Sequence, residues 1–212
     1  MKKIYKIKKF IALSKEEKRI LFLPYYYGKL FRRRFGNFGK KSYIDKPIII
    51  SNPQYISIGN HVGIWKNARI ECIDVWKGQR LNPEIIIGDG CMFGQGLHMA
   101  AGSKIVIENN VVISSYVLIS TIAHSYNVVD IHPLYASLEC KDIYIGNNTL
   151  IGAGVKIMPG VRIGKGCVIG ANAVVTREIP DYCIAVGIPA TITKKYNHET
   201  NAWEDIKDDC MI

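Results

Sequence analysis

The sequence has no apolar run near the ~20 residues that a membrane-spanning helix needs. Its best attempt, ILFLPYYY at residues 20–27, is short and contains Pro24. Residues 1–13 start basic but offer only FIAL as an apolar centre, which makes a poor secretory signal. The six cysteines (72, 91, 140, 167, 183 and 210) form no CxxC pair. They are therefore expected to be reduced and structural, in a reducing compartment. No GxSxG nucleophile elbow occurs, so nothing points to a serine acyl-enzyme. Acidic residues are scarce at the start: residues 1–41 hold 14 of the 28 Lys+Arg and only Glu16 and Glu17. That segment carries +12, and the rest of the chain carries 10 − 12 = −2. The basicity belongs to an N-terminal arm and not to the whole protein.

The 212 residues, 48% hydrophobic and 22% charged, suffice for one domain with a sizeable core. Within IGNNTLIGAGVKIMPGVRIGKGCVIGANAVVT (residues 145–176), Ile145, Ile151, Ile157, Ile163, Ile169 and Val175 recur every six positions. Neither an α-helix nor a half-buried strand has that period. Five blocks of three hexads can be laid out, starting at Ile58, Ile87, Ile107, Ile145 and Ile163. The fifth residue of a hexad is small or β-branched, as in Val62, Cys91, Val111, Thr149, Val155 and Ala173. The second is often Gly (59, 88, 94, 146, 152, 164, 170), read here as relieving the corner dihedrals. Six extended residues make one short strand plus a corner, and three such sides close a triangular coil. The fold class is therefore all-β: a parallel β-helix of about five coils, with a basic, partly helical N-terminal arm and a short C-terminal tail. The expected divisions are 1–50 for the arm, 51–188 for the solenoid with loops 76–86 and 125–144, and 189–212 for the tail.

The interruptions all follow the third hexad of a coil, so they should lie above one another on one edge of the prism. Insertions on one face of a repeat protein often build its binding site. His124 stands just before the longest interruption, and imidazole titrates near neutrality, as a general base requires. Trp65 and Trp76, near these loops, are candidate sugar-stacking residues.

Residues 107–196 resemble the hexapeptide-repeat acyltransferases. The resemblance rests on IENNVVISSYVLISTIAHSY, the repeat run from 145, and AVGIPATITKK. It is strongest toward capsule and lipopolysaccharide sugar O-acetyltransferases and galactoside and maltose acetyltransferases. It implies a left-handed β-helix and acetyl-CoA-dependent transfer to a sugar hydroxyl of a surface polysaccharide or its precursor, with His124 as general base and no metal. It also implies a homotrimer with sites between subunits. By motif, Ala153, Ala171, Thr176, Arg177, Lys194 and Lys195 are expected at the acetyl-CoA, and His98, Tyr126 and Glu139 at the acceptor. His132 is expected to be structural or to face the substrate. Asp130, Glu139 or a backbone carbonyl could orient His124, and the acid in the DHNHSY of related capsule enzymes is absent from STIAHSY here.

The arm suits contact with an anionic membrane surface better than nucleic acid. A cytoplasmic protein, peripheral at the inner face of the membrane, is the matching expectation. Rival readings are an N-acetyltransferase of a nucleotide-linked amino sugar, a γ-carbonic-anhydrase-like metalloenzyme and a non-catalytic solenoid. The metalloenzyme needs two imidazoles five residues apart, which this chain lacks.

Overall fold

The structure is a computed structural model that describes residues 13–15, 17–19, 22, 33–127, 129–130 and 132–206. Short strands stack into three sheets that form the faces of a triangular prism. Face one runs from Asn37–Phe38 through Ile56–Ile58, Glu84–Ile87, Lys104–Ile107 and Ile143–Ile145 to Arg162–Ile163. Face two starts at Tyr43–Ile44 and face three at Ile49–Ser51. All neighbours within the coils are parallel and keep strict register, as in Ile58↔Ile87↔Ile107↔Ile145↔Ile163. Every residue of that column is at most 2% exposed. Burying one such side chain contributes roughly 1.5–3 kcal/mol, and equally buried columns on the other two faces complete the core.

The prism has six complete coils, one more than the sequence reading expected. The additional coil is Asn37–Phe38, Tyr43–Ile44 and Ile49–Ser51, which the reading had assigned to the arm. Its hexads are disguised: Phe38 replaces the aliphatic residue, and Ile48, at a fifth position, is 66% exposed. Of the helix expected around residues 15–34, Lys15, Glu17–Arg19 and Phe22 are helical, and most of the remainder lies outside the described residues. Ser14 opens the helix with a reciprocal cap, its Oγ accepting from the Glu17 N–H and its N–H donating to Glu17 Oε2. Arg19 ties this segment to the first coil through two 2.6 Å bonds to the carboxylate of buried Asp45.

The role of the second-position glycines also differs from expectation. Left-handed backbone falls at the fourth position of the hexad, on Gly154, Gly166, Asn110, Asn148 and Asn172. The second position is tight for another reason: a Cβ on Gly146 would lie 2.6 Å from the Lys165 nitrogen of the next coil. Glycine there lets coils approach, and at position four glycine or asparagine turns the corner.

Most polar groups inside the stack are paired, the buried Ser103 hydroxyl being an exception among the described residues. At the corner between faces one and two, the third-position N–H groups from Lys40 to Asn109 each donate to a side-chain oxygen one coil further on, whereas the Asn147 N–H donates back to Glu108 Oε2. The chain of bonds runs Lys40 to Asn60, Asn60 to Asp89, Asp89 to Asn109 and Asn109 to Asn147, at 2.7–2.9 Å. Buried Thr149 donates to the Gly164 carbonyl and accepts from the Cys167 N–H. Cys72, Cys91, Cys140, Cys167 and Cys183 are free thiols. Burial, helped by Asp74, pushes Cys72 up to about 12. Cys210 lies outside the described residues. Cys183–Gly187, at the end of the expected solenoid, joins face two in parallel, and Ala190–Asn197 and Ala202–Asp205 of the expected tail extend that face as antiparallel strands.

Candidate functional site

Two hairpins leave the prism where face three turns to face one. The first pairs Val75–Trp76 with Gln79–Arg80 after the face-three strand Arg69–Cys72. Its two-residue turn, Lys77 (φ 46°) and Gly78 (φ 87°), has both central residues left-handed, which matches the twist of a tight hairpin. The second pairs Ile122–His124 with Leu138–Cys140 after Leu118–Ser120. The expected edge of stacked interruptions is therefore present. His124, however, is already inside the second hairpin and not at the end of a coil, because the chain leaves the prism after Ser120.

Between the two hairpins, the third coil turns the same corner with only Gly102 and Ser103. The N–H groups of both donate to Oγ1 of buried Thr121. A Cβ on Gly102 would lie 2.5 Å from Cys140 Sγ and 3.4 Å from Leu81 of the first hairpin's segment. This bare corner lets the hairpins close over it. They meet through Trp76 and Gln79, a cross-strand pair on one side of the first hairpin. Trp76 Nε1–H donates to the Ala136 carbonyl (3.3 Å), and its ring meets the His124 imidazole edge to face at 5.5 Å. Gln79 Nε2 donates to the Leu138 carbonyl (2.9 Å), and the Leu138 N–H donates to Gln79 Oε1 (2.8 Å). Lys77 Nζ lies 5.1 Å from the centre of the Tyr135 ring.

His124 is exposed, and its imidazole has no hydrogen-bond partner among the described residues. Glu139 is not placed to orient it. Glu139 faces Ala123 across the hairpin, whereas His124 faces Leu138. Successive strand residues point to opposite sides, so Glu139 is turned away from His124. Its carboxylate accepts from Asn127 Nδ2 at 3.3 Å. Asp130 is exposed in the loop and Tyr126 is 83% exposed. His132 Nδ1 accepts from the Leu134 N–H and caps the short 3₁₀ turn Pro133–Tyr135.

His98 begins the face-three strand His98–Ala101, beside Arg69 and one coil before Leu118. Its Nε2 is 3.8 Å from Glu71, which also holds Arg69. Burial and the Arg69 charge lower the His98 pKa and outweigh the opposing pull of Glu71. The imidazole is therefore neutral at neutral pH. Trp65 sits at the corner between faces two and three, away from the hairpin edge, because it is the second residue of a middle hexad.

Ala153 and Ala171 occupy third positions on successive coils at that same corner, and both are exposed. Unlike the corner ladder of Asn60 and its successors, this column has no side-chain acceptor. The N–H groups of Ala153 and Ala171 have no partner among the described residues. Thr176 and Arg177 follow the last face-three strand and are exposed. Lys194 is paired with Asp205 at 3.0 Å, whereas Lys195 is exposed at the rim of a cavity of about 500 Å³ with Tyr196, His198 and Glu204. No group of three or more His, Cys, Asp or Glu able to hold a metal ion occurs among the described residues.

Residues 142–177 match the bacterial transferase hexapeptide family, over six repeats. The chain carries the bacterial transferase hexapeptide repeat. The match spans the last two complete coils and the inward isoleucine columns described above. This hexapeptide-repeat protein is 36% identical over 127 residues to the protein named as the lipopolysaccharide biosynthesis O-acetyl transferase WbbJ of Escherichia coli (strain K12), covering 57% of this chain and 65% of that one. It is 33% identical over 116 residues to the galactoside O-acetyltransferase of Lactococcus lactis, covering 52% of this chain and 55% of that one. The chain thus spans about half to two-thirds of the length of these curated relatives. Among solved structures it is similar to a variant of AntD, an N-acyltransferase from Bacillus cereus, in complex with dTDP-4-amino-4,6-dideoxyglucose and coenzyme A. The TM-score is 0.67 at 22% identity, covering 82% of this chain and 90% of that one. The likeness to hexapeptide-repeat acetyltransferases read from the sequence stands, and it implies the left-handed winding expected there.

Proposed function

We propose that the hexapeptide-repeat protein transfers an acetyl group from acetyl-CoA to a sugar hydroxyl of a surface polysaccharide or its precursor. The observation that carries this reading is the exposed, unbonded imidazole of His124, held between two hairpins on the one edge where the repeat is interrupted. A free imidazole nitrogen accepts the hydroxyl proton as the oxygen attacks the thioester carbonyl. The new C–O ester bond forms, the C–S bond breaks, and the proton passes to the departing thiolate. No acyl-enzyme is required. The open N–H groups of Ala153 and Ala171 suit the amide and thioester oxygens of the donor, since backbone donors stabilise a developing oxyanion. Among the expected cations, exposed Arg177 and Lys195 suit the CoA phosphates, and Lys194 is engaged by Asp205. Neutral His98, with Tyr126, suits hydrogen bonding to a sugar, and Glu139 a polar rim on the outer side of the hairpin.

A homotrimer with sites between subunits, and a peripheral contact of the basic arm with anionic lipid at the cytoplasmic face, complete the reading. No helix among the described residues is long and apolar enough to cross a membrane. A second reading, N-acetyl transfer to a nucleotide-linked amino sugar, is favoured by the likeness to the AntD complexes with a dTDP-amino-sugar.

The test is thiol release from acetyl-CoA across sugars and NDP-amino-sugars, comparing wild type with His124→Ala. A loss of roughly 10²–10⁴-fold in the variant supports general-base catalysis by His124. Equal turnover removes His124 from the chemistry. Acetylation of an amine and not a hydroxyl selects the second reading.

A further inference from the structure

We infer that the first hairpin positions His124, with Gln79 as the clamp and Trp76 as the stop; this rests on the reading of His124 as the base. The argument begins with what His124 lacks. The Glu139 carboxylate is turned away, and among the described residues no hydrogen bond holds the ring. An unrestrained histidine at a hairpin end samples several rotamers. Something must therefore restrict it if it is to meet an acceptor in one geometry.

The first hairpin supplies both restraints. Leu138 is the residue directly opposite His124 in the second hairpin. The Gln79 carboxamide engages both backbone polar groups of Leu138, donating to its carbonyl at 2.9 Å and accepting from its N–H at 2.8 Å. A primary amide used in this way imitates one more rung of β-ladder, on the outer side of the strand that carries His124's partner. Two residues before Leu138, Ala136 receives the Trp76 indole N–H. The same indole meets the His124 ring at 74° to its plane. Trp76 and Gln79 face each other across a turn whose left-handed pair, Lys77 and Gly78, forces them to one side. One tight hairpin thus fixes the height of the His124 strand and blocks one side of its ring.

The contact depends on the bare corner beneath it. Hairpin one leaves the second coil and hairpin two the fourth, and the third coil passes between them with Gly102. With no Cβ at Gly102, Cys140 and Leu81 close over the corner, and the hairpins touch. None of this contributes to the inward columns, so the clamp can be cut without opening the prism.

The experiment uses the full chain and compares wild type, Gln79→Met, Gln79→Glu and His124→Ala. Two readouts are followed: acetyl-CoA turnover, and the imidazole resonances of His124 in the protein alone, assigned by their loss in His124→Ala. Gln79→Met keeps length and removes both bonds. It is expected to lower kcat by about 10- to 100-fold, as small misplacement of a catalytic group does, with KM for acetyl-CoA and the melting temperature of the prism unchanged. The His124 resonances are expected to lose the ring-current shift imposed by Trp76. Gln79→Glu keeps the acceptor for the Leu138 N–H and is expected to fall between wild type and Gln79→Met. Wild-type kcat and unshifted His124 resonances in Gln79→Met, with His124→Ala inactive, would overturn the clamp and leave the general-base reading intact. Full turnover in His124→Ala would overturn the base, and the clamp's catalytic role with it.

Discussion

The Trp76 indole and the His124 imidazole meet edge to face at 5.5 Å across two hairpins that leave different coils of the prism. The contact joins a residue suited to stacking with a residue suited to proton transfer. Trp76→Ala is therefore expected to reduce turnover while leaving the prism folded, because neither hairpin feeds the inward columns. Trp76→Phe keeps a ring beside His124 but loses the N–H bond to Ala136, and its turnover should lie between those of Trp76→Ala and wild type. Steady-state kinetics with thermal melts check this; a Trp76→Ala protein with wild-type kcat would make Trp76 mere packing.

Asp45 is 1% exposed and receives two bonds from Arg19. Asp45→Ala removes a charged pair that joins the N-terminal segment to the first coil. Hydrogen bonds to charged groups contribute roughly 1.5–3 kcal/mol, and the Arg19 side chain is 27% exposed and can return to water, so a loss near the lower end is expected. Limited trypsin digestion should cut the variant faster around residues 15–19, with the prism slower to degrade. Equal cleavage of variant and wild type would show that other contacts hold the segment.

Gly146→Ala tests the tight second position. The added Cβ would meet the Lys165 backbone nitrogen at 2.6 Å, and no side chain can yield there. Overpacking of this kind costs about 1–3 kcal/mol. Urea unfolding should show a lower midpoint, whereas Gly78→Ala, in open space, is strained only by its left-handed backbone.

His98 sets a pH dependence of stability. Its folded pKa is lowered below the ordinary 6.5 by burial and by Arg69. The unfolded chain therefore binds the proton more readily than the folded one, and stability falls with pH below about 6.5. Above that pH the contribution is complete. His98→Gln should flatten the melting temperature on the acidic side of 6.5 without altering it at pH 8. An unchanged slope would assign the acid sensitivity to other groups.

The inward columns were legible from Ile58 onward because aliphatic residues six apart must face one line once the chain closes a triangle. Ile145, Ile163 and their equivalents are where that arithmetic puts them. The first coil escaped notice because Phe38 and exposed Ile48 break the composition of the hexad while the backbone keeps its path. The edge that holds His124 was also legible, since every interruption follows a third hexad.

Residue spacing alone determined the prism, its corners and the edge on which the chain departs from it. These are repeats of one local geometry, and each hexad carries its own evidence. Only the tertiary structure decided that Gln79 grips Leu138, that Trp76 rather than Glu139 meets His124, that Asp205 occupies Lys194 and that Arg19 reaches Asp45. Those partners are chosen by the height at which distant segments leave the stack and by which side of a strand each residue faces. A one-residue change in register would reverse the facing without disturbing the period of six.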